Sequence, residues 1–330
     1  MVAVSRYVLG VVACCALFVA ALIAPIAATA VADTTGTART PSATHHTLVH
    51  RGLIRTYVRL AAPIAREKLR PLVIALHGRT RSADDIISRS DWPALAVRHG
   101  FVLVAPNAYR SIWNDGRRIF LSRSDPKGID DVGFLAALID RVKRDTPIDP
   151  RRIYLTGASN GGVMTWRFGC ERHDLVAAIA PTLATMPKEP NAFCLGTRPL
   201  PVVAIFGTAD RLMRYDGRPP RLFNWRVPDA RMSAQQSTDW WARLNGCLST
   251  SAVAALPDRA PDDGTTLRRV TYNGCPRTYP VVRYDVVGGG HLLPGAKITR
   301  RFFLRRTLGR DNQDASAAAL IWSFFKDKRQ

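Results

Sequence analysis

Ile153-Tyr154-Leu155-Thr156, followed at once by Gly157-Ala158-Ser159-Asn160-Gly161-Gly162, decides the fold. The first four residues are a short, unbroken apolar run of the kind buried on both faces of a sheet. The next six are nearly all small, and Asn160–Glu171 then carries helical spacing. A sharp strand-to-helix turn strains its middle residue, and only small neighbours let the backbone pass. G-x-S-x-G alone is common by chance; between a strand and a helix it is a demanding match. Ser159 is therefore the candidate nucleophile, at the positive end of the following helix. The alternative is a glycine-rich helix cap.

Working outward, Leu72–Leu76 (LVIAL), Phe101–Ala105 (FVLVA) and Val202–Phe206 (VVAIF) are further continuous apolar runs. Ala177–Ala180 is a shorter strand candidate, Ile54–Leu60 alternates as an outer strand does, and Val281–Val287 is a later candidate. Helical patterns fall between them at Ile129–Arg144, Ser233–Leu244 and Ala315–Phe325. The first places Val132, Leu135, Leu138, Ile139 and Val142 on one face, with Asp130 and Asp131 near its start. Strands alternating with helices predict an α/β protein with a mostly parallel sheet flanked by helices. No repeat and no internal linker interrupts it, so residues 49–330 are expected to form a single domain. Residues 211–231, rich in Arg, Pro and aromatic side chains, follow a strand end, where α/β enzymes build pockets.

Residues 1–32 read differently. Arg6 is the only charge before Asp33, and the apolar stretch ends Ala30-Val31-Ala32, a pattern suited to signal peptidase. A signal peptide over 1–32 and a secreted or periplasmic protein are expected; an uncleaved N-terminal membrane anchor is the alternative. Residues 33–48 are small and polar and read as a flexible leader. His45, His46 and His50 lie in or beside it, without rigid geometry for a metal. Cleavage would remove Cys14 and Cys15, leaving Cys170, Cys194, Cys247 and Cys275. An even count in an exported chain reads as two disulfides; three pairings are possible, and the sequence-local Cys170–Cys194 and Cys247–Cys275 is expected. Neither a Cys-x-x-Cys pair nor a His-Glu-x-x-His helix occurs, so no metal site is expected.

A serine hydroxyl needs a base, and the base an orienting carboxylate, in the chain order Ser, Asp, His for this kind of turn. Downstream of Ser159 stand only His173 and His291. His173 lies at the far end of the nucleophile helix; His291, in Gly288-Gly289-Gly290-His291 after a strand candidate, is the base. Asp210, reached from the strand VVAIF through Gly207-Thr208-Ala209, is the acid; Asp216, Asp229 and Asp285 are weaker rivals. Oxyanion stabilisation needs backbone N–H donors. Asn160 supplies one, and the loop His77-Gly78-Arg79-Thr80 the other, with Arg79 preferred over Gly78. His77 braces that turn.

Taken together, LVIALHG, SIWNDGR (Ser111–Arg117), DDVGFLAALID (Asp130–Asp140), IDPRRIYLTGASNGG (Ile148–Gly162), AAIAP, FGTAD (Phe206–Asp210) and GGGH with Pro294-Gly295 resemble the secreted polyhydroxybutyrate depolymerase/feruloyl esterase-like family of α/β-hydrolases. The resemblance spans nearly all of residues 50–325. It implies a Ser159–Asp210–His291 triad, carboxylic ester hydrolysis and no cofactor. The chain departs from the family in having no proline soon after Asp210 and no tryptophan after His291, which bears on the pocket. Trp113, retained in its motif, is a candidate substrate-binding residue, with plain packing as the alternative.

The expected function is an exported serine esterase acting on polyhydroxyalkanoate oligomers or on feruloyl or acetyl esters of polysaccharide. An acyltransferase using the same triad with an alcohol acceptor is the alternative. The net charge of +21, from 47 basic and 26 acidic residues, comes without a nucleic-acid motif, and export disfavours that partner. The densest basic cluster, Arg300, Arg301, Arg305 and Arg306, could contact an anionic surface; a solvated helix face is the alternative.

Overall fold

Every second residue of an apolar run turns to the same side, and the structure, a computed structural model, uses both sides. Within β3 (Arg70–Leu76), Leu72, Ile74 and Leu76 join one core cluster while Val73 and Ala75 join another. The same division holds in β4 (Val102–Pro106), with Val102 and Val104 against Leu103, and in β7 (Val202–Gly207), with Val202 and Ala204 against Val203 and Ile205. That is the physical reason these runs lack polar alternation. Described are residues 42–62, 68–117, 128–190, 193–219, 231–296 and 306–330, with the backbone of 221–222 and 225–226. The expected signal, Arg300, Arg301 and Arg305 lie outside them.

The other elements are β1 (Ala43–His50), β2 (Leu53–Leu60), α1 (Ala83–Arg89), α2 (Trp92–His99), α3 (Asp131–Asp145), β5 (Ile148–Ala158), α4 (Asn160–Glu171) and β6 (Ala178–Thr182). After β7 come a short hairpin, β8 (Arg221–Leu222) and β9 (Trp225–Arg226), then α5 (Ala234–Leu244), β10 (Ser251–Ala255), β11 (Thr266–Tyr272), β12 (Val281–Val287) and a last helix, α6 (Ala317–Phe325). Ten strands form one sheet in the order β1-β2-β4-β3-β5-β6-β7-β12-β11-β10. From β4 to β12 neighbours run parallel, and the pairs β1-β2 and β11-β10 close the two edges antiparallel. This is the α/β-hydrolase fold: an open, mostly parallel sheet with α3, α4 and α5 against one core and α2 and α6 against the other.

One expectation is corrected. Residues 43–48, read as leader, belong to β1, which pairs with β2 from Ala43↔Leu60 to His50↔Leu53 across the two-residue turn Arg51-Gly52. Both turn residues have positive φ, the geometry that matches the twist of paired strands. The strand is polar because it is an outer one, largely exposed. Its histidines are also fixed: His45 Nε2 meets Asp84 Oδ1 at 2.9 Å, His46 stacks on Tyr57, and His50 Nε2 lies 3.1 Å from Asp130 Oδ2.

Two disulfides staple the helices to the sheet's surroundings, Cys170 at the end of α4 to Cys194, and Cys247 beyond α5 to Cys275 beyond β11. The second closes a loop with a sequence separation of 28. Replacing Cys247 and Cys275 with serine is expected to lower the unfolding free energy by about 3.6 kcal/mol, the entropy that such a loop restores to the unfolded chain. The urea midpoint measures it, and an unchanged midpoint contradicts the assignment.

Candidate active site

Three loops at the carboxyl ends of parallel strands converge. Ser159 follows β5 with φ 57° and ψ −120°, and its N–H is held by Thr182 O at 3.0 Å. A Cβ on Gly157 would stand 2.4 Å from Gly161 O, and one on Gly161 would stand 2.5 Å from His77 O, so neither position tolerates a side chain. Asp210 follows β7. Its Oδ1 accepts the N–H groups of Leu212 and Met213, both at 2.8 Å, which leaves Oδ2 for another partner. His291 follows β12 and takes that place.

His291 Nδ1 lies 2.6 Å from Asp210 Oδ2, and His291 Nε2 lies 2.9 Å from Ser159 Oγ. Because the ionised carboxylate only accepts, Nδ1 carries the proton and donates it, and Nε2 is left to accept the serine O–H. The Asp210 side chain is 1% exposed and that of His291 10%, so the hydrogen-bonded chain is shielded from bulk water. Such an arrangement can turn a hydroxyl into a nucleophile.

The remaining sequence candidates fall into place around it. Asp285 is fully buried and bound by Arg283 at 2.9 Å and Arg268 at 3.2 Å. Asp216 is engaged by Arg214, whose hydrogen bond holds its carboxyl at about 2. Asp229 lies outside the described residues. His173 sits in a single turn beyond α4, with Nδ1 3.4 Å from Cys170 O. A Cβ placed on Gly78 would lie 3.5 Å from Ser159 Cβ, so the loop carrying Arg79 runs directly beside Ser159. Among the described residues no group of His, Cys, Asp and Glu is arranged to hold a metal ion.

Trp113 is corrected: at 1% exposure it has no surface to offer a substrate. Its indole N–H is donated to His77 O at 2.9 Å, so it braces the turn beneath the site. His77 is the other brace. Its Nε2 accepts the N–H of Ala108 at 3.0 Å, and Nδ1 donates to Gly78 O at 2.7 Å. Burial holds this imidazole below its ordinary pKa, against the opposing pull of its Gly78 bond, which keeps it neutral in that two-way role.

No family model matches the chain. It is 30% identical over 284 residues to "Putative esterase NocK" of Nocardia uniformis subsp. tsuyamanensis, across 84% of this chain and 79% of that protein. It is 27% identical over 243 residues to "Feruloyl esterase B" of Piromyces equi, across 72% of this chain but 42% of that protein. "Poly(3-hydroxyalkanoate) depolymerase C" of Paucimonas lemoignei is 27% identical over 240 residues, across 68% of this chain and 55% of that protein. The solved acetyl xylan esterase from Aspergillus awamori superposes with a TM-score of 0.50 at 12% identity, over 81% of this chain and 99% of that one, and bears on the fold alone.

Two outcomes follow from the braces. Gly161→Ala is expected to cost about 1–3 kcal/mol in urea unfolding, the range for overpacking a close contact, and to reduce ester turnover with it. For His77, the folded pKa is below the unfolded 6.5, so the unfolded chain binds more protons as pH falls through 6.5 and stability declines there. His77→Gln should show a shallower fall in melting temperature over that window than the parent; equal slopes would remove the neutral-brace assignment.

Proposed function

This chain belongs to the polyhydroxybutyrate depolymerase/feruloyl esterase-like family of α/β-hydrolases and is a carboxylic ester hydrolase; from that premise we propose that it is an exported serine esterase working through an acyl-enzyme on Ser159. The observation that carries this reading is the unbroken chain Ser159 Oγ, His291 Nε2, His291 Nδ1, Asp210 Oδ2 at 2.9 and 2.6 Å.

Ser159 Oγ attacks the ester carbonyl carbon while His291 Nε2 takes its proton. Asp210 holds the imidazole in the tautomer that can do so and stabilises the imidazolium that results. The carbonyl oxygen becomes an oxyanion and is met by the N–H groups of Asn160 and Arg79, with the positive start of α4 behind it. Collapse breaks the C–O bond, and the alcohol leaves with the proton from His291. Water then repeats the sequence on the acyl-enzyme, releases the acid and restores Ser159. No cofactor is needed at any step.

The substrate class we favour is polyhydroxyalkanoate oligomers or feruloyl or acetyl esters of polysaccharide, supported by the names of the relatives. Export is supported by the signal-like residues 1–32 and by the two disulfides, which persist in oxidising compartments.

Ser159→Ala is expected to lower turnover of a short p-nitrophenyl ester by a factor on the order of 10⁶. Retained activity sinks the mechanism. A panel of hydroxybutyrate oligomers, methyl ferulate and acetylated xylan then ranks substrates. Adding an acceptor alcohol to the panel reports on acyl transfer, because transfer yields a new ester where hydrolysis yields free acid.

A further inference from the structure

Asn160 is the first residue of α4, and its side chain does no capping there. It is 5% exposed and turned across to another loop. Its Oδ1 accepts the backbone N–H of Trp113 at 2.8 Å, and its Nδ2 donates to Trp113 O at 3.0 Å. One amide thus satisfies both backbone groups of one residue, as a neighbouring strand would. Nδ2 makes a further bond of 2.6 Å to Asp115 Oδ2. A carboxylate can only accept, so Asp115 dictates which way the amide faces. Asp115 is itself 5% exposed and gripped by Arg117 through Nη2 at 2.6 Å and Nε at 3.0 Å.

The path continues to the opposite side of the site. The indole N–H of Trp113 reaches His77 O, and His77 Nδ1 reaches Gly78 O, the residue before Arg79. Thr80 N–H is fixed by Ser111 O at 3.0 Å, so the two loops are tied at both ends of this turn. The start of α4 and the loop after β3 therefore share one intermediary, the segment 111–115.

We propose that the Asn160 side chain and Asp115 are positioning residues that set the separation of the two oxyanion donors, the N–H groups of Asn160 and Arg79. The inference rests on the oxyanion assignment above and concerns how that site is held. A donor acts electrostatically only if it already points at the place where charge develops, and a small displacement forfeits much of its effect. Ala at position 160 would keep the donor N–H and remove what aims it. The ground-state ester carbonyl is less sensitive to this aim than the tetrahedral adduct is.

The test uses the full chain as parent, Asn160→Ala, Asp115→Ala and the isosteric Asp115→Asn. Two quantities are measured in each: kcat and KM on p-nitrophenyl acetate, and Ki for phenylboronic acid, whose serine adduct carries an oxygen in the oxyanion position. Deleting an oxyanion donor costs about 10²–10³ in kcat, so misaiming one should cost about 10- to 100-fold in the alanine variants and less in Asp115→Asn, with KM within about twofold. Ki should rise by the factor by which kcat falls. A loss of folded protein lowers kcat and leaves Ki alone, so kcat falling at constant Ki overturns the proposal, as do unchanged kcat and Ki. Should an alanine variant not fold, Asp115→Asn decides by the same comparison. Failure of the underlying reading looks different: an active Ser159→Ala, or a parent that phenylboronic acid does not inhibit.

Discussion

The chain passes from β5 into α4 only because three positions carry no side chain. Gly157 lies against Gly161 O, Gly161 against His77 O and Gly162 against Thr182 O, each closer than any Cβ could be accommodated. These contacts set α4 closely against the loop after β3, and Ser159 between β5 and α4 takes positive φ. The strain spreads along the same edge of the sheet. Apart from Arg51 in an outer turn, the non-glycine residues with positive φ among those described are Thr80, Arg110, Ser111, Ser159 and Leu183. They follow β3, β4, β5 and β6, the strands that frame Ser159. Each such residue costs on the order of 1–3 kcal/mol and persists only where its surroundings over-determine it. The two core clusters and the parallel pairing between these strands supply that constraint.

Legibility in the sequence follows burial. β3, β4 and β7 could be read because strands covered on both faces are apolar almost throughout; β12 was a weaker signal because the buried pair Arg283 and Asp285 interrupts its valines. β1 could not: as an outer strand it needs only backbone pairing, and ATHHTLVH reads as polar leader. β10 and β11 were likewise silent, the first exposed throughout and the second alternating between exposed and buried positions. β5 begins five residues before its apolar run, because Asp149-Pro150 looks like a break; it pairs with β3 at Arg70↔Ile148 before a register shift. The short helices α1 and α2 are separated only by Ser90 and Asp91, too little periodic sequence for a helical stripe. A capping box of Ser82 with Asp85 marks the start of α1 and was the available signal.

The three side chains that the structure brings together, Ser159, Asp210 and His291, were legible for a different reason. Each follows a strand end, and their chain order is restricted by the turn that presents the serine, so position and order narrow the choice to single residues. What aims them was not legible. Trp113 reaches His77 across 36 residues and Asn160 across 47, and no local pattern distinguishes a tryptophan that braces a turn from one that lines a pocket. The side-chain bonds of Asn160 were hidden too: its place after the serine draws attention to its N–H, and nothing in the sequence says that its amide is held by Trp113 and Asp115.

Two of the chain's arginines have a local task that net charge does not reveal. Two buried carboxylates hold the segment 111–115, Asp115 through Asn160 and Asp131 through the N–H of Asn114 at 2.7 Å. A carboxylate near the nucleophile would oppose the negative charge that an ester carbonyl acquires on attack, and the opposition grows as the dielectric falls. Each carries its own guanidinium: Arg117 on Asp115, and on Asp131 the buried Arg55 at 2.7 Å, itself stacked 3.8 Å over Phe134. Burial raises the Asp131 carboxyl and Arg55 pulls it back, so the pair presents little net charge to its surroundings. Arginine suits this place better than lysine because its planar guanidinium lies over the Phe134 ring while Nη2 donates to both Asp131 Oδ1 and Asn107 O. Acidic residues can therefore hold the segment 111–115 against the start of α4 without leaving an unpaired negative charge beside Ser159.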